Sequence, residues 1–415
     1  MDEITRSDDL RRENQRKVLA ALRASSPQSR TELSAATGLS ASTTTAITSN
    51  LLTRGFLVEA APSSDTPNQR PSRRGRPQVA LALNPGAATI AALAITLNRL
   101  SVSLFDYSGE LLAESTIRTD TRQLKRDSFF ENLGNQLDGL LQAENASPGP
   151  LSQIVVAFQG TTDSEGTSLQ WSPITPHREI ALATALHRRF RVPVRVENDA
   201  NMIAGALRAD ESSRFGDSFA AILLSPGVGM GMYVNDRLFT GIFTSAAEFG
   251  HMRHIADGAL CRCGRHGCIE AYSGDYGIWR NATGRNPNEV PDRDFDASSM
   301  SELAQLARSG NAAAKEAYRQ AGEAIGQGLG SLFALFDPMP VAFVGSGTIA
   351  FDLMEPTIRK SLGQRGVGLS KHDAKLYCYP NDLDLIRRGT VVAALNALDR
   401  NPGLVRATME LEDAG

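Results

Sequence analysis

The chain has 415 residues, 41% of them hydrophobic and 21% charged. That length allows two or three domains with buried cores, and the composition excludes wholesale disorder or a fibrous repeat. The net charge is −3, yet the first 80 residues hold 12 Lys and Arg against 8 Asp and Glu, so a basic front precedes an acidic body. Any bound anion is therefore expected at the N-terminal module. The longest nearly uncharged apolar run, Ala87 to Leu97, falls short of the roughly 18 residues that a membrane span needs. The acidic stretch Met1 to Asn14 is unlike a signal peptide. The expected location is the cytoplasm, with no membrane partner.

Residues 15 to 24 place Val18, Leu19 and Leu22 on one helical face before the breaker Ser25-Ser26-Pro27. Ser29-Arg30-Thr31-Glu32 has the spacing of a capping box and opens a second helix that stops at Gly38. A third helix is expected from Ala41 to Arg54, with Ile47 and Leu51 inward and Gly55 as its stop. Phe56 to Glu59 and Val79 to Leu83 read as two strands of a wing around a polar tip from Pro62 to Pro77. The order is that of a winged helix-turn-helix spanning residues 1–85, with a basic wing or linker near 62–78.

In such a motif the second helix of the pair enters the major groove of duplex DNA. Residues 41 to 49 are small and hydroxylated, and Ser42, Thr44, Thr45 and Thr48 are the candidates for phosphate and base contacts. The wing tip carries Arg73, Arg74 and Arg76 around Gly75, followed by Pro77. An extended Arg-Gly-Arg-Pro segment can lay guanidinium groups along a narrow minor groove. The bland alternatives are a solvated helix and a flexible basic linker.

From about residue 86 the pattern becomes α/β, with strands expected at 154–158, 192–196, 219–224 and 341–344. Helices are expected at 129–144, 179–190, 200–209 and 312–336. Gly322, Gly326, Gly328 and Gly330 in the last helix should admit a close neighbour. Cys261, Cys263 and Cys268 lie within eight residues, and glycines between them let the loop aim three thiolates at one ion, which favours zinc. His251, His254 or His266 can complete a tetrahedron, with His251 preferred; the role expected is structural. Cys378, in a strand-like run, is read as buried. Glu197-Asn198-Asp199-Ala200-Asn201 joins a strand to a helix, where open sheets bind ligands. Asn198, Asp199, Glu248 and Glu270 offer the directional polar groups that suit a polyhydroxylated ligand; helix capping by Asp199 is the alternative.

Glu197 to Asn201, Glu248-Phe249-Gly250-His251 and the Cys-x-Cys-Gly-x-x-Gly-Cys-x-Glu run from Cys261 to Glu270 resemble signatures of the ROK family of repressors and sugar kinases. With its N-terminal module, the chain is similar to the branch of xylose and N-acetylglucosamine repressors. The resemblance implies a two-lobed, actin-like ATPase (ribonuclease H-like) body over residues 86–415. It implies zinc on His251, Cys261, Cys263 and Cys268, and a sugar or sugar phosphate on Asn198, Asp199, Glu248, His251 and Glu270. It further implies double-stranded operator DNA as partner and a homodimer or homotetramer. Kinase members hold ATP with an Asp-x-Gly-Gly-Thr loop; here the corresponding stretch is Ala94-Ile95-Thr96-Leu97-Asn98. The reading is therefore a sugar-responsive DNA-binding regulator without kinase activity, with a ROK-type sugar kinase as the alternative.

Overall fold

The computed structural model describes residues 2–60, 79–143, 148–242, 246–291, 295–363 and 374–400. The first helix, Asp2–Ala24, extends well before residue 15. The capping box forms: Glu32 N donates to Ser29 Oγ at 3.3 Å, and Ser29 N donates to Glu32 Oε2 at 2.7 Å. Gly38 ends this second helix, Arg30–Thr37, at φ 69°, a left-handed turn that glycine makes without strain. The third helix, Ala41–Thr53, is capped by the Ser40 hydroxyl, which accepts from Thr43 N at 3.1 Å. Strands Gln28–Ser29, Ala80–Leu83 and Leu57–Ala60 form an antiparallel sheet behind the helices, in that order. Residues 61–78, including Arg73, Arg74 and Arg76, lie outside the described residues.

Two five-stranded sheets build the body, and they share one topology. In the first, Thr89–Thr96, Arg99–Asp106 and Leu111–Arg118 form an antiparallel meander, and Leu151–Phe158 and Val194–Asn198 add in parallel on the other side. In the second, Phe219–Leu224, Val228–Val234 and Arg237–Leu238 make the meander, and Val341–Val344 and Leu376–Tyr379 add in parallel. Each sheet thus reads 3-2-1-4-5 in its own chain order. Strands at the centre are buried on both faces, which explains runs such as Ile-Val-Val-Ala-Phe and Phe-Ala-Ala-Ile-Leu-Leu.

Helices Asp199–Asp210 and Asp382–Arg400 pack against one another between the lobes. A side chain on Gly389 would collide with the Met202 carbonyl, so this contact requires glycine. The expected close neighbour of helix Ala312–Phe336 is Phe351–Gly363: a Cβ on Gly322 would lie 2.6 Å from Met354 O. Helix Leu182–Phe190 starts three residues later than expected, because Ile180 bridges to Leu169 instead. Cys378 is exposed rather than buried, since its strand is the edge of the second sheet and pairs on one side alone.

The head is fused to the body through a common core. Val18, Leu19 and Leu22 of the first helix share one hydrophobic cluster with Val391, Ala394, Leu395 and Leu398 of the last. Beside it, Arg23 Nη1 donates to Asp399 Oδ2 at 2.8 Å, and Tyr107 Oη donates to Asp399 Oδ1 at 2.7 Å. Asp399 is 3% exposed, so its charge depends on these partners.

Candidate functional site

The Ala41–Thr53 helix presents Ser42, Thr45, Ala46 and Ser49 to solvent as one stripe at positions i, i+3, i+4 and i+7. Thr44 and Thr48, expected to face outward, are fully buried on the Ile47 and Leu51 side. Ser34 Oγ donates to Thr44 Oγ1 at 2.9 Å, and Arg30 Nε donates to Thr48 Oγ1 at 3.0 Å. These two threonines therefore join the helices to each other, and Ser49 takes their place on the outer face.

At the carboxyl ends of the parallel strands of the first sheet, Asn198, Asp199, Glu248, His251 and Glu270 line a single pocket. Asn198, rather than Asp199, caps the following helix: its Oδ1 accepts from Asn201 N at 3.0 Å, and its Nδ2 donates to Gly160 O at 2.8 Å. Asp199 Oδ1 accepts from Ala200 N at 2.9 Å. Burial, reinforced by Asp382 and Glu248, raises the Asp199 carboxyl to about 7, although bonds to backbone amides pull the other way. Burial also raises Glu248, against the pull of His251. Glu270 Oε2 accepts from Val228 N at 3.1 Å, and its Oε1 accepts from Tyr276 Oη at 3.3 Å. Glu197 turns away to pair with Arg195 at 2.9 Å. Asn201, the last residue of the strand-to-helix motif, also lines the pocket, and so does Trp171, which escaped the sequence reading; the Trp171 ring meets the His251 ring edge-on at 5.9 Å. The cavity holds only about 60 Å³, far below the few hundred Å³ usual for a small-molecule site.

His251, Cys261, Cys263 and Cys268 converge on one point, with all four ligand atoms within 4.8 Å of one another. Cys263 Sγ and Cys268 Sγ are 3.7 Å apart, as are Cys261 Sγ and His251 Nδ1. A tetrahedron with metal–sulfur arms of about 2.3 Å has edges of about 3.8 Å, so the cluster can hold a metal ion of that kind. His254 and His266 are engaged elsewhere, with Gln327 and the Gly258 carbonyl. The loop is braced from below by the fully buried Arg280, which donates to Leu260 O at 3.0 Å and to Ala271 O at 2.6 Å. At Gly267, φ is 77° and a side chain would strike the Ile255 carbonyl, so the tight turn before Cys268 needs glycine. His251 Nε2 lies 3.8 Å from Glu248 Oε2. One imidazole thus connects the metal cluster to the pocket.

On the far side of Asp199 a second cavity of about 160 Å³ is lined by Leu97, Arg99, Ser225, Asp382, Leu383 and Ile386, among others. The turn at Leu97 and Asn98 that borders it contains no glycine, and Asn98 N donates to Thr121 Oγ1 at 3.3 Å.

Two similar lobes hinged around a polar cleft, joined to a winged helix-turn-helix head, define a protein of the actin-like ATPase fold with a DNA-binding module. The chain belongs to the ROK family, whose profile matches residues 91–374, and a winged helix-turn-helix DNA-binding profile matches residues 11–58. It is 23% identical to the xylose repressor of Bacillus subtilis over 85% of this chain and 87% of that protein. It is 27% identical to a glucokinase of Streptomyces coelicolor, over 65% of this chain and 86% of the enzyme. The crystal structure of a ROK family transcriptional regulator, a homologue of the Escherichia coli MLC protein, superposes with a TM-score of 0.77 at 22% identity, covering 96% of this chain and 99% of that one. No helix among the described residues is long and apolar enough to cross a membrane.

Proposed function

We propose that this protein is a sugar-responsive, DNA-binding transcriptional regulator, a repressor of carbohydrate uptake or catabolism genes. The observation that carries this reading is the helix Asp382–Arg400. Its first turn lines the interlobe cleft beside Asp199, and its last turn holds Arg23 of the head through Asp399. Nineteen residues of helix span about 28 Å. A sugar that binds one arrangement of the lobes better than another will shift that helix, and with it the pose of the head on DNA. The narrow cavity requires such a change before a sugar ring fits. Resemblance to the xylose repressor over most of both chains supports the same conclusion.

In this reading Asp199, Glu248 and Glu270 accept hydrogen bonds from sugar hydroxyls, and Asn198 holds the strand end that carries Asp199. His251 donates from Nε2. Zinc would be held by His251 Nδ1, Cys261, Cys263 and Cys268, and when bound it supplies a fixed tautomer and orientation to His251. Ser42, Thr45 and Ser49 approach duplex operator DNA, and Arg73, Arg74 and Arg76 reach along the minor groove. A homodimer or homotetramer places two heads on paired half-sites. Fluorescence anisotropy with promoter fragments from the protein's own genome, with and without sugars, tests the reading: sugar-dependent release is expected, and indifference to every fragment overturns it.

The second reading, a sugar kinase, draws on the glucokinase relative and on Asp199, whose raised carboxyl suits a general base. A coupled ADP-release assay across common hexoses separates the two, and turnover would favour the enzyme.

A further inference from the structure

We infer that a second ligand site lies outside the sugar pocket, between the first sheet and the helix Asp382–Arg400, and that it takes a small hydroxylated monocarboxylate. This goes beyond the sugar-sensing reading and does not rest on it. Side chains alternate along the strand Arg99–Asp106. Leu100, Val102 and Leu104 enter the core with Phe129 and Leu133 of the helix Arg126–Gln142. Arg99, Ser101 and Ser103 take the opposite face, which the helix Asp382–Arg400 leaves open because it lies mainly over Thr89–Thr96 and Leu151–Phe158. The result is a cavity of about 270 Å³, close to the low end of the range usual for small-molecule sites.

Free donors outnumber free acceptors on its walls. Ser103 is 4% exposed, and its hydroxyl has no hydrogen-bonding partner among the described residues. Such a group is costly until something meets it. Thr116 Oγ1 donates to Ser101 Oγ at 3.0 Å, which leaves the Ser101 proton to give. Arg99 forms no ion pair or hydrogen bond through its side chain among the described residues, although Asp382, a carboxyl raised by burial, feels its charge. The acids of the cavity are already spent, since Arg387 is paired with Glu114 at 2.7 Å and with Asp384 at 2.6 Å.

An acceptor-rich ligand answers that imbalance. A planar guanidinium matches the two oxygens of a carboxylate, and hydroxyls on the same ligand exchange hydrogen bonds with Ser101 and Ser103. A dianion such as phosphate is disfavoured, because one unpaired cation and two carboxylates surround it. Ala92 and Ala94, on the neighbouring strand, leave room that larger side chains would fill. The opposite wall is the start of Asp382–Arg400, so the acid rests on the same helix that ends at Asp399 and Arg23.

The test is calorimetry on the full chain with gluconate, glycerate, inorganic phosphate and glucose. At least one of the two hydroxy acids is expected to bind about tenfold or more tighter than phosphate, and equally well in the presence of glucose, because the sites are separate. Arg99→Gln should weaken that acid by about tenfold or more, the scale of a charge-assisted contact, while melting as wild type does. Ser103→Leu, which fills the cavity, should abolish its binding. No binding of either acid at about 10 mM overturns the inference, and so do equal affinity for phosphate, competition between the acid and glucose, or full affinity in R99Q. Those results leave sugar sensing intact, and failure of glucose alone to bind leaves this site standing.

Discussion

On one side of Asp199 the interlobe cleft is walled by Glu248, His251 and Glu270, each tied to a neighbour that fixes its orientation. On the other side the walls are Leu97, Pro226, Leu383 and Ile386, with Asp382 and Arg99 as the charged groups. The first half presents carboxylates and an imidazole held in fixed orientations. The second is bordered by Ser225 and Pro226, which lead into a turn where Ser225 N donates to Gly227 O at 3.0 Å.

The most damaging way to probe the first half is to remove a thiolate. Cys263→Ser should abolish stoichiometric metal, read by elemental analysis, and weaken sugar binding by about 100-fold or more, because His251 loses its anchor. Sugar affinity that survives metal loss would uncouple the cluster from the pocket.

Arg23→Ala attacks the helix that runs between the second half and the head. It leaves the Asp399 carboxylate buried without its cation, which costs about 3–5 kcal/mol. Denaturant melting should show that loss, and sugar should no longer change the affinity for DNA.

Asp199→Asn examines the residue on which the two halves meet. With its carboxyl raised to about 7, the folded chain keeps a proton that the unfolded chain releases near 4. Raising the pH from 4 to 7 therefore erodes stability at this site. The asparagine variant should melt about 2 °C higher than wild type at pH 8. Wild-type sugar affinity should rise with pH through about 7 as the acceptor ionises, and the variant's should stay flat. Ser225→Ala, confined to the second half, should alter sugar affinity by no more than about twofold.

Short-range chemistry made much of this architecture readable. Ser29 and Glu32 announced a helix start, and the Cys261–Cys268 spacing announced three thiols that converge where a metal ion could be held, because in both cases the partners lie within one turn or loop. The burial of Thr44 and Thr48 was also legible in principle: they sit three residues before Ile47 and Leu51 respectively, so a strict 3.6-residue period puts them on the inner face, and only their hydroxyls argued otherwise. Trp171 had no such signal. It reaches the pocket from a three-residue strand, Leu169–Trp171, whose placement depends on long-range pairing. The common topology of the two lobes was hidden as well, since strand order repeats without any repeat of residues.

The junction of head and body has a consequence for synthesis. Arg23 and Asp399 are 376 positions apart. At roughly 5–20 residues per second, the ribosome delivers the second partner on the order of half a minute after the first. Until then the cluster around Val18, Leu19 and Leu22 lacks the share that Val391, Ala394, Leu395 and Leu398 contribute, although Leu33, Ile47 and Leu51 of the head are already present. A newborn head can therefore fold, but it cannot dock, and truncated or stalled chains will display a sticky underside to chaperones before they display a competent reader to the genome.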